Sequence, residues 1–232
     1  MKRLILFDID GTLLWTRGAA RKAFERAMLE VYGTAGPIAK HSFGGKTDPQ
    51  IARELLRLAG FDDRRIDDGL DRLWAGYLSG LRKELLLPGH ETRVLPGVRP
   101  LLAELGRRTD TILTGLLTGN IEGGAALKLE SAALADNFRF GAFGSDRERR
   151  EDLPAVAVER AFALTGVRFR AHQIVIIGDT PADMTCGASL DAFALGVATG
   201  YFDEAGLKAA GAHVTVPDLG NTQGVLEVLL HF

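Results

Sequence analysis

Six short apolar runs, at positions 4–7, 111–117, 139–143, 173–177, 192–197 and 213–216, recur along this 232-residue chain. Most are followed by a stretch with helical spacing, at 122–134, 154–164, 181–189, 204–210 and 222–230. Strand, helix and strand at this spacing build right-handed crossover units around a parallel sheet. Ile174-Val175-Ile176-Ile177 is apolar on both faces, which suits a strand covered by helices on both sides. The expectation is an α/β chain with a Rossmann-like, parallel-sheet core.

The alternation breaks once. Residues 16–91, between the first and second runs, contain no convincing strand but carry apolar side chains at helical spacing. Ala20, Ala23, Phe24, Ala27, Met28 and Val31 form one series, Ile51, Leu55 and Leu58 a second, and Leu70, Leu73, Trp74, Tyr77 and Leu81 a third. A crossover needs a single helix, so 16–91 reads as an inserted all-helical subdomain, with 1–15 and 92–232 forming the core. Pro88-Gly89 and Pro96-Gly97 punctuate the return.

Composition narrows the function classes. The 28 Lys and Arg nearly balance 30 Asp and Glu, which argues against a protein that coats nucleic acid. Cys186 is the single cysteine, so no internal disulfide forms, and no Cys/His spacing suggests zinc. No apolar run is long enough to span a membrane, and the basic-then-apolar start stops at Asp8 without a cleavage-type sequence. A cytoplasmic monomer or homodimer, without nucleic-acid or membrane partners, is expected.

Three polar motifs follow apolar runs. In Asp8-Ile9-Asp10-Gly11-Thr12-Leu13, two carboxylates two residues apart would share one side of a strand, about 7 Å apart. Like charges that close repel unless a cation intervenes or one is protonated. A calcium loop would need further oxygen ligands where Leu13, Leu14 and Trp15 stand. Leu117-Thr118-Gly119-Asn120 opens a helix, where a hydroxyl and free amides suit a phosphate group; a plain cap by Thr118 or Asn120 is the alternative. In Gly178-Asp179-Thr180-Pro181-Ala182-Asp183, two carboxylates four residues apart could serve one divalent cation, and a capped helix start is compatible with that. All three lie at carboxyl ends of predicted parallel strands, where open α/β sheets bind ligands.

These motifs, in this order and spacing, resemble the haloacid dehalogenase superfamily, specifically phosphatases with a helical cap inserted after the first strand and similar to phosphoglycolate phosphatases. The resemblance spans essentially the whole chain. It implies a sheet with the first-motif strand in the middle, a cap closing over it, and hydrolysis of a small phosphorylated metabolite. It assigns Asp8 as the nucleophile that forms an aspartyl-phosphate and Asp10 as general acid, then base. It implies Mg²⁺ held by the Asp8 carboxylate, the Asp10 main-chain carbonyl and Asp179, with Asp183 supporting, and Thr118 bonded to a phosphoryl oxygen beside Gly119 and Asn120.

One position departs from the family pattern, which places a Lys about thirty residues after the second motif. Here the segment reads Ser145-Asp146-Arg147-Glu148-Arg149-Arg150 and has no Lys. Arg150 is the substitute favoured, since a guanidinium can bridge carboxylate and phosphate. Lys128 is the rival, but it lies two turns along the helix after Asn120, about 12 Å from its start. A solvated run formed by Arg147, Arg149 and Arg150 is the plain alternative.

Within the insert, Gly44-Gly45-Lys46-Thr47-Asp48-Pro49 resembles a loop reaching over a substrate, with Lys46 as a binding candidate; helix capping by Thr47 or Asp48 is the alternative. Its spacing is not that of a Walker phosphate loop. His41, His90, His172, His213 and His231 show no pairing pattern and read as surface or packing residues, Trp74 as core of the insert, and Cys186 as a small buried side chain. Other outcomes on the same scaffold are a phosphonate hydrolase using Lys46 as an imine-forming amine, a phosphomutase, or a non-catalytic binding module. A dehalogenase is disfavoured by the acidic Asp10.

Overall fold

The computed structural model describes residues 2–231. Its elements in chain order are β1 (Arg3–Phe7), β2 (Leu14–Trp15), α1 (Ala19–Tyr32), α2 (Asp48–Leu58), α3 (Asp63–Leu85), β3 (Arg93–Val94), α4 (Val98–Gly106), β4 (Ile112–Leu117) and α5 (Glu122–Ser131). They continue with β5 (Gly141–Ala142), α6 (Leu153–Thr165), β6 (Ile174–Gly178), α7 (Pro181–Cys186), β7 (Phe193–Val197), α8 (Glu204–Ala209), β8 (Val214–Val216) and α9 (Thr222–His231).

Six strands form one parallel sheet in the order β5-β4-β1-β6-β7-β8, so β1 is central. Side chains alternate across it. Ile5, Phe7, Val175 and Ile177 face an apolar layer with α4, α5 and α9, whereas Leu4, Leu6, Ile174 and Ile176 face another with α6. Both faces are therefore buried, which explains the unbroken apolar run in β6. The register sets Phe7 opposite Leu116 on one side and Ile177 on the other. Residues just past β1, β4 and β6 thus meet at one edge.

The six predicted runs all contain strands, shortened at β5 to Gly141–Ala142. Sequence periodicity missed α4, and it missed β2 and β3, whose antiparallel pairing ties together the chain's exit to the insert and its return. Two residues per strand are too few to show a period.

Between β2 and β3, α1, α2 and α3 bury a core of their own around Phe24, whose ring lies 5.4 Å from Tyr77 and 5.8 Å from Phe43. Trp74 joins this cluster. Ile121 and Leu127 extend the apolar layer onto α5, so the insert rests on the helix that follows β4. Among the described residues, no helix is long and apolar enough to cross a membrane.

Candidate active site

Asp8 is held at the sheet edge by its backbone N–H, which donates to the Ile177 carbonyl at 2.9 Å. Thr118 is held likewise by its N–H to the Ala142 carbonyl at 3.0 Å. Asp179 follows β6 directly, and a capping box at the start of α7 orients Asp183: its Oδ2 accepts from the Thr180 amide at 3.0 Å and the Thr180 hydroxyl at 2.6 Å. Asp8, Asp179 and Asp183 are all buried, with one oxygen of each within 4.8 Å of the others.

One cation balances part of that charge. The Arg150 guanidinium lies 3.1 Å from Asp8 Oδ1 and also donates to Asp183 Oδ1. It is buried, so the solvated-charge alternative does not describe it. Burial by itself would lower its affinity for the proton, but Asp183 and Asp8 more than offset this and raise it. Burial pushes the Asp8 carboxyl up to about 6, against the pull of Arg150 and with the repulsion of Asp183 and Asp10. Asp179 is pushed up to about 9, chiefly by burial and then by Asp183 and Asp8. Three buried carboxylates around one guanidinium leave a site short of positive charge.

The donor set fits a hard divalent cation. Asp183 accepts with both oxygens, from Thr180 and Arg150, whereas Asp179 accepts at Oδ1 from the Thr12 hydroxyl at 3.1 Å. A Cβ added at Gly11 would stand 2.3 Å from Asp179 Oδ2, and one at Gly200 would stand 1.8 Å from it, so two glycines leave room for that oxygen. Gly11 also has φ +86°, which disfavours a side chain independently.

Asp10 has a separate partner. Asn120 Nδ2 donates to its Oδ2 at 2.8 Å, and the Lys128 ammonium donates to the same oxygen at 2.5 Å. The rise of about 12 Å along the helix axis does not keep Lys128 from the strand ends: helical side chains lean toward the N-terminus, and a four-carbon stem carries the ammonium back to Asp10. Lys128 reaches Asp10, not Asp8; Arg150 reaches Asp8. The capping alternative for Thr118 and Asn120 is not realised, because α5 begins after Ile121 without a side-chain cap.

The insert lies against the same edge. Thr47 caps α2, as the plain alternative held, and its hydroxyl also donates to the Glu148 carbonyl at 2.5 Å. The Asp48 amide donates to the Gly119 carbonyl at 2.7 Å, and Asp48 Oδ2 accepts from the Ile121 amide at 2.8 Å. Lys46 lines the cavity between insert and sheet edge, about 830 Å³ in volume, but its ammonium bonds Glu54 at 2.5 Å and lies 3.4 Å from His41. His41 in turn lies 3.0 Å from Glu54. This pairing was not visible in sequence, since His41 and Glu54 are joined by a turn and α2 with no recognisable spacing. Cys186 is buried, and burial pushes its thiol up to about 12, away from nucleophilic use.

Carboxylates gathered at the carboxyl edge of a parallel sheet, under a helical insert, suit a divalent cation and an anionic ligand. The sequence pattern of the haloacid dehalogenase-like hydrolases matches residues 5–197, and the chain belongs to that family. It is 25% identical over 221 residues to a phosphoglycolate phosphatase of Pseudomonas putida, covering 94% of this chain and 78% of that protein. It is 27% identical over 213 residues to a phosphoglycolate phosphatase of Rhodospirillum rubrum, covering 88% and 83%. In fold it is similar to a hydrolase from Pseudomonas syringae, with a TM-score of 0.73, 21% identity and 99% of each chain covered. It is also similar to β-phosphoglucomutase from Clostridium difficile, with a TM-score of 0.70, 18% identity and 98% and 96% covered.

Proposed function

We propose that the chain hydrolyses small phosphomonoesters through an aspartyl-phosphate on Asp8, in the manner of a phosphoglycolate phosphatase. The observation that carries this reading is the buried Asp8 carboxylate beside Arg150, at the edge where Thr118 and Asp179 converge. Asp8 attacks phosphorus and the bond to the leaving oxygen breaks, while Asp10 gives that oxygen its proton. Water then attacks phosphorus and the bond from phosphorus to Asp8 breaks while Asp10 takes the water's proton, so phosphate leaves, Asp8 returns as a carboxylate and Asp10 as the protonated acid. Arg150 holds Asp8 and meets a phosphoryl oxygen; the Thr118 hydroxyl and the Gly119 and Asn120 amides meet others.

Asp8, Asp179 and the Asp10 carbonyl would hold Mg²⁺, with Asp183 fixing Arg150 and Thr180 beside it. When bound, the cation supplies charge neutralisation between anionic Asp8 and an anionic phosphoryl group. Residues 16–91 act as the cap that closes the cavity, with 1–15 and 92–232 as the catalytic core, in a cytoplasmic protein. The Lys46 ammonium, engaged by Glu54, supports cap structure better than an imine-forming role. Phosphate release from p-nitrophenyl phosphate, with Mg²⁺ and with a chelator, tests the proposal: turnover only with Mg²⁺ supports it, and none in either condition across a panel of phosphorylated metabolites overturns it.

A further inference from the structure

Lys128 is a lysine in an apolar place. It lies on α5 between Leu127 and Leu129, and only 3% of it is exposed. Burying an ammonium is unfavourable unless it is paired and hydrogen-bonded, and a Leu or Met would fill the same volume without that penalty. Its ammonium donates to Asp10 Oδ2 and to Asn120 Oδ1, both at 2.5 Å. Asn120 closes the ring through Nδ2, which donates to Asp10 Oδ2 at 2.8 Å and to the Thr118 hydroxyl at 2.7 Å.

Both donors to Asp10 fall on Oδ2, so Oδ1 is the oxygen left to carry a proton. Asp10 sits beyond the end of β1, with its side chain 32% exposed toward the cavity, and nothing in a strand ladder fixes its χ angles. Without the ring the carboxyl could turn, and a misaligned proton donor loses much of its effect.

We propose that Lys128 is a positioning residue for Asp10: with Asn120 it clamps Oδ2 and thereby presents Oδ1 to the leaving-group oxygen. The inference rests on reading Asp10 as the general acid. It gives the site two cations with separate tasks, Arg150 on the nucleophile and phosphoryl side and Lys128 on the proton-donor side.

The test uses leaving groups of different need. An alkyl phosphate such as phosphoglycolate requires protonation as it departs, whereas p-nitrophenolate leaves well without it. Because kcat/KM reports steps through the first phosphoryl transfer, it isolates the acid role from the later base role. Lys128→Met should lower kcat/KM for the alkyl phosphate by about 10²-fold, within the usual range for general acid catalysis, and for p-nitrophenyl phosphate by a much smaller factor. The Asp10→Asn/Lys128→Met double variant should be no slower on the alkyl phosphate than Asp10→Asn alone, as expected for residues acting as a unit. Thermal unfolding checks that each variant is folded, and Lys128→Gln, which keeps one donor for Asp10 or Asn120, provides a second probe if Lys128→Met is not.

Equal losses on both substrates, or losses that add in the double variant, overturn the proposal. If Asp10→Asn shows leaving-group dependence and neither Lys128 variant does, the clamp is refuted while the acid assignment stands. If Asp10→Asn shows no such dependence, the acid assignment falls, and the clamp with it.

Discussion

Arg150 shares one guanidinium between Asp8, 3.1 Å away, and Asp183, so the residue proposed as nucleophile and the residue that completes the capping box of α7 are held by the same charge. Removing that charge leaves two buried carboxylates without their cation. Arg150→Ala should therefore lower kcat/KM about 10²–10³-fold, equivalent to about 2.7–4 kcal/mol, and should do so alike for alkyl and p-nitrophenyl phosphates. It should also destabilise the fold by about 3–5 kcal/mol, read by urea unfolding, as breaking a buried pair does. Unchanged stability would show that Arg150 is not buried with both partners as described.

The carboxylate cluster predicts a linkage between pH and metal. In the metal-free protein Asp179 has its carboxyl pushed up to about 9, above its ordinary value, so the folded state holds a proton that the unfolded state gives up. The resulting contribution is most favourable below the ordinary carboxylate range and is lost progressively as pH rises toward 9. Mg²⁺, which needs the ionised ligand, should release a proton on binding and should raise the unfolding temperature more at about pH 8.5 than at about pH 6. Calorimetry in buffers of different ionisation enthalpy and thermal scans at both pH values read this out. A Mg²⁺ effect that shrinks with rising pH would contradict it. Ca²⁺, which accepts more oxygen ligands, should bind but fail to support turnover.

Gly119 has no room for a side chain: a Cβ there would stand 2.0 Å from the Lys46 carbonyl oxygen. Gly119→Ala should push the insert loop away from the strand ends and lower kcat/KM at least tenfold, a loss typical of misplacement by about 1 Å. Full activity in this variant would mean that catalysis does not require the insert to lie where it does.

Much of this arrangement was legible because strands announce themselves by apolar runs, and the residues that end parallel strands meet at one edge. Asp8, Thr118 and Asp179 could be placed together on that ground alone. Arg150 was legible through the family resemblance, which expects a cation about thirty residues after Thr118, ahead of the helix that starts near Pro154. Rise along the helix axis makes Lys128 look remote because it ignores the lean of helical side chains, and the contact with Asp10 depends on that lean. The tie between β2 and β3 and the contact of His41 with Glu54 depend on tertiary placement of short or irregular segments, which leave no period to read.

The central claim is that Asp8 carries the phosphoryl group. Asp10→Asn should slow hydrolysis of the intermediate, so that it accumulates when the variant is mixed with p-nitrophenyl phosphate and Mg²⁺ and quenched in acid. Peptide mass spectrometry should then find one phosphoryl group on the peptide containing Asp8, localised to that residue, and none in Asp8→Asn. Release of p-nitrophenol in amounts matching the enzyme, with no phosphoryl group on Asp8 or with one on another residue, would contradict the account.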